Sequence, residues 1–112
     1  MLKLLPNHYE SVPAGEPALD DLIESAITKN VLEGDRAHRK GNFELAEQFY
    51  CYAINLAEVK FGTNAAAVGY LLGILADLYE TQNRKSDASS LKNRVHEILT
   101  NYVKVPDQQT QT

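Results

Sequence analysis

The chain has 112 residues and carries 11 Lys and Arg against 15 Asp and Glu, a formal net charge of −4. Hydrophobic residues make up 44% and charged residues 23%, which permits a packed core and excludes a disordered, charge-dominated chain. Nucleic acid is not expected as a partner, because the one basic cluster, Arg36, Arg39 and Lys40, is interleaved with Glu33, Asp35, Glu44 and Glu47.

Residues 1–16 read as an extended arm, since Pro6, Pro13 and the following Pro17 remove backbone donors and restrict the residues before them. A helical region is expected over 17–105. Pro17 suits a first helical position, and Asp20, Asp21 and Glu24 complement the positive end of a helix dipole. Leu19, Leu22, Ile23, Ala26 and Ile27 recur at spacings of three and four, the mark of one apolar stripe. Residues 17–40 read as either one long helix or two broken near Thr28–Asn30, and the absence of Pro or Gly there favours one.

Gly41-Asn42 is a turn signal. A second helix carries Ala46, Phe49, Tyr50, Ala53, Leu56 and Ala57 and ends near Phe61, with Gly62 expected in a left-handed cap. Thr63-Asn64 then offers a cap for a third helix through Val68, Leu71, Leu72, Leu75, Ala76 and Tyr79. That helix should finish near Gln82-Asn83. Ser86 is expected to cap a fourth helix bearing Ala88, Leu91, Val95, Ile98, Leu99 and Tyr102. Pro106 stops the pattern, and 106–112 read as a polar, disordered tail. No stretch alternates with period two, so the fold class is all-α.

The two hairpins overlay on one another. Gly41 to Ala46 aligns with Asn83 to Ala88, an offset of 88 − 46 = 42 residues. The run Gly41, Phe43, Ala46, Tyr50, Ala53 resembles the tetratricopeptide repeat, and the segment from Leu71 to Tyr79, followed by Asn83 and Ala88, is similar to its first helix. The long offset and the Lys60-Phe61-Gly62 linker resemble the kinesin-light-chain variety, whose units exceed the usual ~34 residues. The resemblance covers units of about 27–60 and 69–102. It implies antiparallel hairpins stacked as a short α-α superhelix of two repeats with an N-terminal helical extension. Ala46, Ala53, Ala76 and Ala88 would let helix axes approach closely. The departures, Glu33 and Ala37 in the first unit and Lys85 and Lys92 in the second, fall where the ends of such a stack meet water.

The same resemblance implies a protein-protein interaction module, an adaptor or scaffold, that binds an extended segment on the concave face formed by the first helix of each pair. Mapped residue by residue, that groove comprises Val31, Asp35, His38 and Arg39 from one unit and Tyr70, Ile74, Asp77 and Glu80 from the other, with Gly73 between them. Relatives that clamp a C-terminal carboxylate use Lys and Asn near positions that here hold Val31 and Asp35. The expected ligand is therefore a neutral or basic protein segment. The alternative is a structural subunit that forms a homodimer through its helix faces, the C-terminal helix above all.

Little suggests catalysis. Cys51 stands alone and reads as a small buried or half-buried residue; His8, His38 and His96 have no ligand spacing. Nucleophile elbows and phosphate loops are missing. No enzymatic activity, cofactor or metal is expected. The apolar run at Met1–Leu5 is too short for a secretory signal, and no run reaches the ~20 residues that cross a bilayer. A cytoplasmic location without membrane contact follows as the expectation.

Overall fold

A computed structural model describes residues 18–102, and the expected arm (1–16), Pro17, Val103 and the tail (106–112) lie outside the described residues. Four helices follow in order: α1 (Leu19–Arg39), α2 (Phe43–Phe61), α3 (Ala66–Thr81) and α4 (Lys85–Tyr102). Among the described residues there is no strand, and no helix is long and apolar enough to cross a membrane. Each helix packs on its neighbour in the chain, and the connections of three or four residues make those neighbours antiparallel. The fold is thus two helical hairpins, α1–α2 and α3–α4, joined face to face through α2 and α3.

The 42-residue offset recurs in the backbone bond by bond. In the first turn Gly41 N–H donates to His38 O, Asn42 N–H to Ala37 O, and Ala46 N–H to Asn42 O. In the second turn Asn83 N–H donates to Glu80 O, Arg84 N–H to Tyr79 O, and Ala88 N–H to Arg84 O. Every donor and acceptor is shifted by 42. The pivot of each turn takes a positive φ, 80° at Gly41 and 63° at Asn83, which a residue with a bulky Cβ avoids.

α1 is continuous for 21 residues, so of the two readings left open by the sequence the single helix holds. Asn30 is accommodated mid-helix by donating its side-chain amide to Ala26 O at 2.8 Å. Three boundary expectations need correction. Gly62 does cap α2, but at φ 98° and ψ 155°, a region reserved for glycine that is not the left-handed helical one. α3 starts at Ala66 with Ala65 at the cap, not at Thr63-Asn64, because a further turn closed by Ala65 N–H to Gly62 O must finish first. Ser86 lies inside α4, whose first residue is Lys85; the cap position belongs to Arg84, the 42-residue counterpart of Asn42. Asn42 accepts from Leu45 N–H, a role that a guanidinium cannot fill.

The core is built from small residues at the crossings. Ala46, Ala53, Ala57, Val68, Ala76 and Leu78 have no exposed surface, Ala88 and Ile98 almost none. Small side chains bring axes close, and larger ones then fill the flanks. Gly34 shows how close. A Cβ there would stand 2.5 Å from the Tyr50 ring.

Polar ties cross between the hairpins. Tyr79 OH in α3 donates to Glu47 Oε2 in α2 at 2.7 Å, and Arg84 reaches Glu47 Oε1 at 3.1 Å while its guanidinium lies 4.1 Å from the Tyr79 ring centre. Arg94 of α4 bonds Glu58 of α2 at 2.9 Å and Thr63 O at 3.1 Å. Among the described residues, every buried side-chain polar atom has a partner.

Candidate functional site

The two hairpins leave two apolar basins on the surface, and Tyr70 lines both. The smaller, about 250 Å³, lies where α1, α2 and α3 meet. Ile27, Val31 and Leu32 form one wall, Phe61 and Ala57 the end, and Tyr70 and Leu71 the other wall. The larger, about 480 Å³, runs between α3 and α4. Its floor is small (Ala66, Gly69, Gly73), its sides are Ile74, Val95 and Leu99, and Asp77 and Lys92 close one end. Tyr70 stands between them, 70% exposed.

These basins arise from the helix pattern. Gly69 and Gly73 are one turn apart on α3 and lie on the face that carries Tyr70, Ile74 and Asp77. A Cβ at Gly69 would meet Ile98 at 3.2 Å, so that glycine lets α4 approach. A Cβ at Gly73 would meet nothing within 4 Å.

Of the residues that the sequence singled out, the structure brings Val31 and Tyr70 together in the smaller basin, and Tyr70, Gly73, Ile74 and Asp77 in the larger. The other four are engaged elsewhere. Asp35 turns toward α2 and accepts from Tyr50 OH at 2.6 Å. His38 packs its ring edge-on against Phe43, with centroids 5.7 Å apart. Glu80 forms an ion pair with Lys92. Arg39 is exposed and lines neither basin. Asp35 therefore serves the first hairpin's own packing; its counterpart Asp77 differs because position 92, which corresponds to Tyr50, holds a Lys that turns to Glu80. Sequence reasoning missed Leu32, Phe61 and Leu99 as basin residues, each roughly half exposed. Their signal was an apolar side chain displaced from the core stripe.

Among the described residues, burial and neighbouring carboxylates move the Tyr50, Tyr79 and Cys51 side chains from their usual range. Burial, then the hydrogen bond to Asp35, pushes the Tyr50 phenol far above its usual range. Burial and Glu47 do the same to Tyr79. Burial, then the charge of Glu47, raises the half-buried Cys51 thiol, which weakens it as a nucleophile. Among the described residues, no three His, Cys, Asp or Glu side chains gather into a metal-sized cluster. What the basins offer is desolvation of apolar side chains, with Asp77 as an anionic edge: among the described residues, no cation lies within ion-pair reach of it. No family model, curated protein or solved structure matches the chain.

Proposed function

We propose that the chain is a tetratricopeptide-type interaction module of the kinesin-light-chain variety, working as an intracellular adaptor or scaffold and not as an enzyme. The observation that carries this reading is the turn-for-turn repetition at an offset of 42 residues, with Gly41 and Asn83 as equivalent pivots. A chain that repeats a hairpin in register places the first helix of each pair, α1 and α3, side by side on one flank. The smaller basin lies on that flank, and its apolar walls suit a protein segment that inserts one or two large apolar side chains.

Charge sets the preference of the segment. Tyr50 keeps its proton at neutral pH and donates it in a hydrogen bond to the Asp35 carboxyl group, and the Asp77 carboxyl group edges the neighbouring larger basin. A neutral or basic segment is favoured over an acidic one. Selection from a displayed library of random peptides tests this. Wild-type protein should enrich peptides that combine apolar and basic residues, and Leu32→Asp, which puts a charge in the basin wall at a half-exposed position, should lose them. Failure to enrich any peptide, or equal binding by the variant, refutes the concave-face reading.

A further inference from the structure

The two ends of the two-hairpin stack are not alike. On the first hairpin Gly34, Tyr50, Ala53 and Ala57 are all buried, Gly34 beneath the Tyr50 ring, and α3 packs against α2. Adding 42 gives Ala76, Lys92, Val95 and Leu99, which line the larger basin on the second hairpin. That basin is the face that the first helix of a third hairpin would cover if the stack went on. It stays open, with Leu99 46% and Tyr70 70% exposed. The opposite end is built for water. Where α3 offers buried Leu71, Leu72, Leu75 and Leu78 to its neighbours, α1 has Lys29, Asn30, Glu33 and Arg36 at the positions 42 residues earlier. Glu33 and Arg36 pair with each other at the surface.

This asymmetry decides what can cover the open face. A second copy arriving head to tail would bring charged α1 to an apolar basin, which desolvates Lys29 together with the Glu33–Arg36 pair. Two copies meeting through the same face avoid that cost. The face is self-complementary: a hole floored by Ala66, Gly69 and Gly73 lies beside a protruding knob, Tyr70. A two-fold axis puts each copy's knob in the other's hole. An exposed tyrosine entering an apolar pocket is the commonest kind of interface anchor. Its hydroxyl is also the sort of donor that carboxylates already take in this protein, Asp35 from Tyr50 and Glu47 from Tyr79. Asp77, at the end of the basin, has no such donor among the described residues.

We infer that the chain forms a two-fold symmetric homodimer through the α3–α4 face, with Tyr70 of each copy seated over Gly73 of the other. The face is about 24 Å long and roughly 20 Å wide across two helices, or roughly 500 Å² before side-chain relief. Adding that relief reaches only the lower end of stable interfaces, so dissociation in the micromolar range is expected. The inference shares Tyr70 with the concave-face reading, and Leu32, which lines the smaller basin alone, separates the two: Leu32→Asp should leave the dimer intact.

Sedimentation velocity on the full chain, from about 1 µM to about 300 µM, tests it against Gly73→Leu and Tyr70→Ala. Gly73→Leu fills the hole, and a Cβ there meets no neighbouring atom within 4 Å, so its circular dichroism and melting temperature should match or exceed those of the wild type. Wild type should pass from monomer to dimer across the range while both variants stay monomeric with full helix content. A wild-type monomer at every concentration overturns the proposal. A dimer that survives in either variant overturns it as well, because removing the knob or the hole from both copies abolishes both contacts.

Discussion

At the scale of single residues, two positions carry sharp consequences. Gly34 is glycine because the Tyr50 ring takes the space of a Cβ. Gly34→Ala should therefore cost about 1–3 kcal/mol despite alanine's better helix propensity, read as a lower denaturant midpoint with an unchanged slope. The second consequence concerns pH. Tyr50 and Tyr79 hold their protons to higher pH folded than unfolded, because burial and a neighbouring carboxylate oppose phenolate formation. The folded chain then binds more protons than the unfolded one once pH exceeds about 10, so stability is full below that value and falls above it. The expected slope is about 1.4 kcal/mol per pH unit for each tyrosine, and Tyr50→Phe should remove one such contribution. Urea titrations between pH 8 and pH 11 would show a flat midpoint throughout if the phenols were not protected (values chosen to bracket the ordinary phenol pKa of about 10).

At the scale of elements, the helices were legible in the sequence and their ends only partly. Apolar stripes at spacings of three and four located all four helices, and the overlay at 42 residues located both hairpin turns. The misplaced ends have a common cause. A cap is recognised from a side chain that can accept from the first amides, yet the cap positions of α3 and α4 hold Ala65 and Arg84, whose side chains cannot do so. Their starts are fixed instead by preceding turns and by packing, which local chemistry does not reveal. The candidate site divides in the same way. Tyr70, Ile74 and Asp77 were reached through the resemblance, which maps the first helix of each pair onto one face. Asp35 and His38 were not, because their partners, Tyr50 and Phe43, lie on another helix. The turns supply a prediction at this scale. Gly41→Ala forces a Cβ onto a positive φ and should cost about 1 kcal/mol, whereas Asn83→Gly relieves the same strain and should stabilise by a few tenths of a kcal/mol, both measurable by thermal melts.

For the whole molecule, the question is whether two hairpins unfold together. Glu47 takes both Tyr79 and Arg84 across the α2–α3 boundary, and Arg94 ties α4 to Glu58 and to the linker at Thr63. These bonds, with Ala57, Val68 and Leu75 buried alongside them, bind the hairpins into one cooperative unit. Glu47→Ala leaves the Tyr79 hydroxyl without its acceptor and should cost about 1–2 kcal/mol. Tyrosine fluorescence and circular dichroism should still report one coincident transition; separated transitions would show that the hairpins are independent. The shared register has a constructive consequence too. Because Arg84 and Asn42 end equivalent turns, a duplicate of residues 43–84 can be spliced in directly after Arg84, with both new junctions falling at turns the chain already makes. The chain is in this sense a modular rod, which protein engineering could lengthen one hairpin at a time without designing a single new loop.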